Sequence, residues 1–290
     1  MIRLGFLGGI ESGHALSYAR AAQQGLVPGV TLAAFWAEDA DAAGRFAAEH
    51  GFSTVVDTPE RMLEERLIDA VLVLQRDPNE HRVLAIPFLE AAIPTYVDKP
   101  LAATMSDARA IAAAAERNAT PLLSCSALRF NAEVRALGSP SHCELRTVVA
   151  TGYRETVYYG IHAAEAVYTL LGAGVQSHLV MRHGSRDILG LCYPDGRMGL
   201  VLLLRDSLPV LSVAAFGTAG HASVVIPDVD DHPMFAATLQ AIVEMAHSRQ
   251  SPVPPAETLE LLSVLIGSTF EGPGEAGLTA GVAGVSTESR

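Results

Sequence analysis

A lysine stands at the predicted end of a buried strand, in the stretch YVDKPLA (96–102). Lys99 follows apolar residues and precedes a proline, so its charge projects from the carboxyl end of the strand, where open α/β sheets bind ligands. An ammonium group there can hold a substrate hydroxyl or stabilise a developing alkoxide. A lysine that served solubility alone would more naturally lie on a helix face.

A histidine lies on a predicted helix in the second half of the sequence, within YYGIHAAEAVYTLLG (158–172). His162 and Glu165 are three residues apart and therefore share a helix face, and Tyr158 lies one turn before His162. Histidine is the usual proton shuttle near neutral pH. A histidine on a helix, considered alone, is more often structural, so both interpretations stay open.

The stretch GFLGGIESGHAL (5–16) has the features of a phosphate-binding turn between a strand and a helix. The pattern GxGxxG is met at Gly8 and Gly13, but Ile10 takes the middle position, where a glycine normally lets the backbone approach a pyrophosphate. Gly9 can recover some of that room. A strand–helix turn without a ligand is the alternative. The candidate cofactor contacts in this turn are Gly8, Gly9, Ile10, Glu11 and Ser12.

Two more polar stretches follow predicted strands. Glu38 comes just after the second strand, where an acid normally binds the ribose hydroxyls and disfavours a 2′-phosphate. With Asp39 it could instead form a solvated pair that caps the next helix. Gln75, Arg76 and His81 follow the fourth strand and are placed to line the same crevice, although an ordinary polar loop is the alternative.

The elements that must position these residues alternate over the first 125 residues. Apolar runs such as IRLGFLG (2–8) and DAVLVL (69–74) alternate with helices of ten or more residues, for which Ser12 and Ser106 are candidate caps. Continuous apolar strands between helices are typical of a parallel sheet covered on both faces. The pattern predicts a doubly wound α/β domain of Rossmann type over residues 1–126.

After Pro140 the sequence changes to strand-like stretches separated by turns, among them the Asp-Gly turn PDGR (194–197). Helices are predicted at about 160–171, 232–248 and 256–270. We therefore expect an α+β domain, built on a mostly antiparallel open sheet, over residues 127–290. Its tail, residues 272–290, is rich in small and polar residues and is expected to be poorly ordered.

Composition narrows the classes of partner. The formal net charge is −12, with scattered basic residues, which argues against nucleic acid or an anionic membrane surface and favours a small-molecule substrate. The three cysteines lie far apart without a CxxC pair, which predicts no disulfide framework and no metal site, and fits a reducing cytoplasm. No apolar run is long enough to span a bilayer.

Together these stretches resemble the Gfo/Idh/MocA family of NAD(P)-dependent oxidoreductases over roughly residues 2–270. The most specific marks are DKPLA (98–102), where the family usually has Glu-Lys-Pro, and HAAE (162–165), where it usually has His-x-x-Asp. SALRF (126–130) is similar to the family segment that follows the sixth strand.

The resemblance implies a function and a set of roles. The first domain would bind NAD, with NADP as a possibility, and Asp98 would lie at the cofactor. Lys99 would bind the reacting hydroxyl and His162 would take its proton, with Tyr158 as the alternative proton-transfer group. Arg129 and Glu165 would contact the substrate. Family substrates are mostly sugars and cyclitols, and the open sheet commonly forms a homodimer or larger homo-oligomer.

The sequence also departs from the family at several positions. Ile10 replaces a glycine, Tyr158 stands where many members have an aspartate, and Glu165 replaces an aspartate. Two alternatives to a dehydrogenase therefore remain: a dehydration, epimerisation or hydrolysis on the same scaffold, and a catalytically silent ligand-binding protein. The presence of both Lys99 and His162 favours an enzyme.

Overall fold

The computed structural model describes residues 1–138, 144–154, 157–207, 209–227, 233–268 and 278–282. The chain divides into two compact units: Met1–Ala127 with Val229–Pro255, and Leu128–Asp228 with Ala256–Arg290. It leaves the first unit close to the predicted boundary at residue 126. It then returns once to the first unit before it completes the second, which the sequence analysis does not anticipate.

The first unit contains a six-stranded parallel sheet with helices between successive strands. Its elements are β1 (Ile2–Leu7), α1 (His14–Gln23), β2 (Val30–Trp36), α2 (Ala40–His50), β3 (Thr54–Val55), α3 (Arg61–Glu64), β4 (Ala70–Val73), α4 (His81–Glu90), β5 (Thr95–Val97), α5 (Met105–Arg117) and β6 (Leu122–Leu123). The strand order is β3-β2-β1-β4-β5-β6. This is the order of a doubly wound Rossmann sheet, so the predicted fold class is confirmed.

Burial explains why these segments form central strands. All four residues of β4 are buried, as are all three of β5. The side chains of Leu4, Phe6 and Leu72 are fully buried in the core. Strands covered on both faces need apolar residues at every position, which is the continuous pattern seen in the sequence.

Two predicted helix caps are wrong. Helix α1 begins at His14 with Gly13, in the left-handed conformation, as its N-cap, so Ser12 lies one residue before the cap position, although its hydroxyl accepts a hydrogen bond of 3.4 Å from the His14 amide. Helix α5 begins one residue earlier than predicted, and its cap is Thr104, whose hydroxyl accepts a hydrogen bond from the Asp107 amide. A serine or threonine followed by a good helix former is a local signal, and neighbouring candidates compete for it.

One late helix belongs to the first unit. Helix α8 (Pro233–Ser248) packs there, with the rings of Phe235 and Tyr18 5.7 Å apart. After the helix, Ser251 accepts a hydrogen bond from the Leu122 amide, and Arg249 donates to the Ala92 carbonyl. The sequence analysis assigns this helix to the second domain, because position along the chain does not reveal which core an apolar helix face covers.

The second unit is built on a mixed, mostly antiparallel sheet. Its elements are α6 (Ala132–Ala136), β7 (Leu145–Gly152), α7 (Gly160–Leu171), β8 (Ser177–His183), β9 (Arg186–Cys192), β10 (Met198–Leu204), β11 (Leu211–Gly217), β12 (His221–Ile226), α9 (Pro255–Gly267) and β13 (Leu278–Val282). The strand order is β12-β11-β7-β10-β9-β8-β13, with β7 and β10 parallel and the other pairs antiparallel. The predicted α+β architecture is confirmed.

Helix α7 covers the middle of this sheet. A methyl group at Gly199 of β10 would lie 2.5 Å from the Val167 side chain, so the glycine allows the helix to approach the strand closely. Alternate residues of β10 are buried beneath it, including Val201 and Leu203. The sheet therefore has one face covered by helix, and α7 carries His162 in a defined position on that face.

The predicted disordered tail contains one described element. Residues 278–282 form β13, which pairs antiparallel with β8, because an edge strand leaves backbone donors and acceptors open for pairing. The rest of the tail lies outside the described residues, as does Cys143. None of the described helices is both long and apolar enough to cross a membrane.

Candidate active site

The topology of the first unit brings three predicted stretches to one edge of the sheet. Strand β4 pairs in parallel with β1 on one side and β5 on the other. The glycine turn follows β1, the loop 74–81 follows β4, and Asp98 and Lys99 follow β5. The carboxyl ends of adjacent parallel strands lie at the same sheet edge, which is where open α/β folds bind ligands.

The two glycines after β1 are required by packing against the end of β4. Gly8 and Gly9 have φ angles of 70° and 83°, which L side chains rarely adopt. A methyl group at Gly9 would lie 2.5 Å from Cβ of Leu74, and one at Gly8 would overlap the Gln75 side chain. These glycines therefore allow the turn to lie against the β4 loop. Close approach of a cofactor at the same backbone remains a prediction.

The remaining residues of the turn have different environments. Ser12 donates from its hydroxyl to the Gly9 carbonyl, 3.1 Å away, and so stabilises the turn itself. Ile10 is half-buried and Glu11 is exposed. The N-terminus of α1, which opens with Gly13 as its N-cap, is the part of the turn that can present backbone N–H groups to an anion.

The two acidic residues after β2, Glu38 and Asp39, have different environments. The Asp39 carboxylate accepts a hydrogen bond from the Ala42 amide at 2.9 Å and caps α2. Glu38 is exposed and lies two residues after the strand end at Trp36. The helix-capping alternative therefore accounts for Asp39, and Glu38 is left as the candidate for the ribose hydroxyls.

The loop after β4 combines exposed and buried polar groups. Arg76 is exposed, while the Gln75 amide donates to Glu80 at 2.6 Å. His81 is buried, and its ring nitrogens lie next to main-chain carbonyl oxygens of Gln75 and Pro100. The sequence predicts all three residues as cofactor contacts. In the structure, both ring nitrogens of His81 lie at main-chain carbonyl groups, so the ring does not face a crevice.

Lys99 is a buried cation next to a buried anion. The residue is 4% exposed. Burial lowers the pKa of Lys99 below its usual value, the negative charge of Asp98 opposes that shift, and the charge of Arg76 adds to it. A buried amine with a lowered pKa at a strand end is a frequent feature of functional sites.

Asp98 is held by a residue that the sequence analysis misses. Its Oδ2 atom lies 2.8 Å from Nδ1 of His14, the first residue of α1, and its Oδ1 atom lies 3.3 Å from the Tyr96 hydroxyl. Burial by itself would raise the pKa of Asp98, but the charge and hydrogen bond of His14, with the charge of Lys99, lower it to about 2. The two residues are 84 positions apart, so no local pattern relates them.

We expect Asp98 to make stability depend on pH in the acid range. Its pKa is lower in the folded state, so its contribution is complete above the unfolded value near 4 and is lost as the pH falls through about 2. The shift corresponds to about 2 kcal/mol. Urea unfolding measures the free energy of unfolding at pH 5 and at pH 2. Between these two pH values, the wild type should lose about 2 kcal/mol more of this free energy than Asp98→Asn does. The exposed Asp41→Asn serves as control, and equal losses in all three proteins would contradict the assignment.

The second unit holds the other predicted site residues. His162 lies half-buried in the first turn of α7, and Tyr158 lies just before that helix, where its ring is 5.2 Å from the ring of Tyr159. Glu165 is buried three residues after His162. The predicted helix, with His162 and Glu165 three residues apart, is thus observed.

Arg129 and Glu165 bind each other. The Arg129 Nε atom donates to Glu165, and its NH1 group donates to Glu257 of α9, both at 2.5 Å. One turn further along both helices, the Tyr168 hydroxyl donates to Glu260 at 3.0 Å. These contacts tie α7 to α9 and to the segment after β6. The sequence predicts that Arg129 and Glu165 contact substrate, and the structure engages both in a buried ion pair.

Composition contains one more signal. Lys99 is the single lysine of the sequence, in which every other basic side chain apart from histidine is arginine. This one lysine lies buried at a strand end. Within the described ranges, no group of three or more His, Cys, Asp and Glu side chains is arranged to hold a metal ion.

Comparison with known protein families gives a match within the first unit. The model of the oxidoreductase family with an NAD-binding Rossmann fold, Gfo/Idh/MocA, matches residues 2–124. Residues 2–124 therefore match the NAD-binding Rossmann domain of this oxidoreductase family. No curated protein matches the sequence. This match gives NAD as the cofactor of the Rossmann unit.

Solved structures share the fold along most of the chain. An oxidoreductase from Agrobacterium radiobacter, in complex with NAD+, L-tartaric acid and magnesium, matches with a TM-score of 0.81 and 15% identity, over 97% of this chain and 98% of that one. Myo-inositol 2-dehydrogenase from Lactobacillus plantarum matches with a TM-score of 0.78 and 15% identity, over 92% of this chain and 96% of that one. Scyllo-inositol dehydrogenase from Lactobacillus casei, with bound NAD(H) and scyllo-inositol, matches with a TM-score of 0.77 and 12% identity, over 92% of this chain and 95% of that one. At this identity the likeness establishes the fold alone.

Proposed function

We propose that this protein is an NAD-dependent dehydrogenase or reductase that acts on a hydroxyl-bearing or carbonyl carbon of a sugar, a cyclitol or a related small metabolite. The observation that carries the proposal is the buried Lys99, next to the charged Asp98, at the carboxyl edge of a Rossmann sheet of an NAD-binding family. The inositol dehydrogenases among the solved structures with the same fold support this class of substrate.

The residues of the first unit fit a dinucleotide. Backbone groups of Gly8, Gly9 and Gly13 and the N-terminus of α1 would hold the pyrophosphate, and Glu38 would bind the ribose hydroxyls and select NAD over NADP. Ile10 would reduce the backbone contact at the middle of the turn. When bound, the nicotinamide supplies the acceptor or donor of the hydride.

At the reacting carbon, the roles divide between two side chains. Lys99 binds the substrate oxygen and stabilises negative charge that develops on it. His162 takes the hydroxyl proton in the oxidation direction and returns it in reduction, with Tyr158 as the alternative group. Arg129 and Glu165 act as positioning residues, because their ion pair fixes the rotation of α7, which carries His162 one turn before Glu165.

The cofactor proposal is tested by binding. NADH should bind the purified protein more tightly than NADPH, as seen in titrations of nicotinamide fluorescence. Glu38→Gln should weaken NADH binding by about tenfold and reduce the preference over NADPH, because a charged hydrogen bond is worth roughly 1.5–3 kcal/mol and the repulsion of a 2′-phosphate is removed.

A neighbouring acid supplies the matched control. Asp39→Asn removes the charge from the side chain that caps α2, so it should change thermal stability slightly and leave the NADH/NADPH preference unchanged. Folded protein that binds neither nucleotide would overturn the proposed function. Substrate conversion without net change in nicotinamide absorbance would instead favour a non-redox reaction on the same scaffold.

We also propose that the open face of the second sheet forms a homodimer. Pairing across the strands puts Leu179, Met181, Met198, Phe216 and Val225, all of them exposed, on one face together with Leu200. An apolar face of this extent is typical of a subunit interface. A second copy of the chain presents the same surface, and a closed two-fold pair covers both faces at once.

Light scattering on the purified protein checks the dimer. The wild type should have the mass of a dimer, and Leu200→Glu should shift it to a monomer, because a carboxylate would be buried at the centre of the face. Val83→Glu is the matched control, since Val83 is an exposed valine on α4 of the first unit. A monomeric wild type at micromolar concentration would rule the interface out.

A further inference from the structure

His81 bridges two loops with one ring. It is the first residue of α4 and is 1% exposed. Its Nε2 atom lies 2.8 Å from the carbonyl oxygen of Gln75, and its Nδ1 atom lies 3.0 Å from that of Pro100. The Leu101 carbonyl is 3.3 Å from the same Nδ1 atom. Carbonyl oxygens only accept hydrogen bonds, so the ring joins the chain that follows β4 to the chain that follows β5 by two hydrogen bonds when both its nitrogens carry a proton.

The partner at Pro100 is the main-chain group directly after the lysine. Proline has no N–H, so its carbonyl is its single backbone hydrogen-bonding group, and His81 occupies it. On the other side of the lysine, the Asp98 carboxylate is held by His14 at 2.8 Å. Both residues adjacent to Lys99 are thus held by histidines that open helices, α1 and α4.

We propose that His81 is a positioning residue that orients the Lys99 amine by holding the Pro100 carbonyl. The inference rests on the proposed function, in which Lys99 binds the reacting oxygen. All the ring partners of His81 named here are carbonyl oxygens in the first unit, so its contribution passes through the main chain. A displacement of a reacting group by about 1 Å can cost about 10²-fold in rate, so a loop contact of this kind affects turnover.

Two substitutions distinguish the contributions of the two ring nitrogens. The amide nitrogen of asparagine can take the place of Nδ1, and that of glutamine the place of Nε2. His81→Asn therefore keeps a donor to Pro100 and loses the contact to Gln75, whereas His81→Gln does the reverse. We expect His81→Asn to stay within about threefold of wild-type kcat and His81→Gln to lose about tenfold or more, with KM for NADH unchanged in both.

The single lysine allows a readout that is independent of turnover. Biosynthetic labelling with [13C]lysine gives one Cε resonance, that of Lys99, in the wild type and in each variant. Its chemical shift, followed against pH, should give a pKa below the usual lysine value in the wild type and in His81→Asn. In His81→Gln the chemical shift itself should change. His50→Gln is the control, since His50 is a buried histidine whose ring nitrogens lie near Gln23 and Glu49.

The outcomes separate the two proposals. Equal losses of kcat in His81→Asn and His81→Gln, or an unchanged Cε resonance in His81→Gln, would overturn the positioning role. If the wild type turned over no substrate with either nucleotide, the proposed function would fail, and the Cε resonance would still decide whether His81 orients Lys99. If His81→Gln did not fold, a tenfold loss of kcat in folded His81→Asn would overturn the role.

Discussion

Lys99→Met is expected to reduce turnover about 10³-fold while the protein stays folded and continues to bind NADH. The effect is large because a buried cation interacts with developing negative charge more strongly than an exposed one, and removal of one such group typically costs about 10²–10³-fold in kcat. Methionine has a similar volume and no charge to desolvate, and Asp98 keeps its hydrogen bond to His14. Turnover is measured by nicotinamide absorbance, with whichever polyol or sugar the wild type oxidises.

Two further variants make this test specific. Lys99→Arg keeps a positive charge but places a larger, planar group in the buried space, so we expect little recovery of turnover. Arg109→Met removes an exposed cation from α5 and should leave turnover unchanged. Undiminished activity in Lys99→Met would show that the reacting centre lies elsewhere in the protein.

His162→Gln is also expected to have a large effect, a loss of about 10²–10⁴ in kcat, the usual contribution of a general acid–base group. Glutamine keeps a hydrogen-bonding amide but cannot accept and release a proton near neutral pH. The fold should be unaffected, because His162 is half-buried and lies in the first turn of α7. The pH profile of kcat/KM should also lose its limb near neutrality.

Tyr158→Phe distinguishes the two candidate proton-transfer groups. If His162 transfers the proton, Tyr158→Phe should change kcat by less than about tenfold, and the neutral limb of the pH profile should remain. If Tyr158→Phe caused the larger loss and His162→Gln kept its neutral limb, the assignment would pass to Tyr158. The exposed His247→Gln on α8 controls for unspecific effects of losing a histidine.

The secondary structure of the first unit could be predicted closely because its signals are local. Continuous apolar strands, helices of ten or more residues and glycines at strand–helix turns each depend on neighbours in the sequence. The helix caps were less predictable, since Gly13 and Thr104, and not the two serines, begin α1 and α5. Competing cap residues lie within two positions of each other, and their side chains differ little in preference.

The candidate site could be predicted as a set of residue types, but not as a set of partners. Lys99 and His162 were located from their positions at a strand end and on a helix, and their catalytic roles stay predictions. The Arg129–Glu165 pair joins residues 36 positions apart, and the contact of His14 with Asp98 joins residues 84 positions apart. A pattern with a period of two or 3.6 residues carries no information about such pairs.

By itself, the sequence determined the two architectures, the family resemblance and the one lysine at a buried strand end, because hydrophobic periodicity, turn residues and motif spacing are written along the chain. Tertiary structure alone decided which polar groups meet. The strand order puts the ends of β1, β4 and β5 side by side, so His14 meets Asp98, and His81 meets the carbonyl of Pro100. It likewise decided that Glu165 is neutralised by Arg129 and that α8 returns to the first unit. A buried polar group must find a partner wherever the fold brings one within reach, and that is a property of the packed chain.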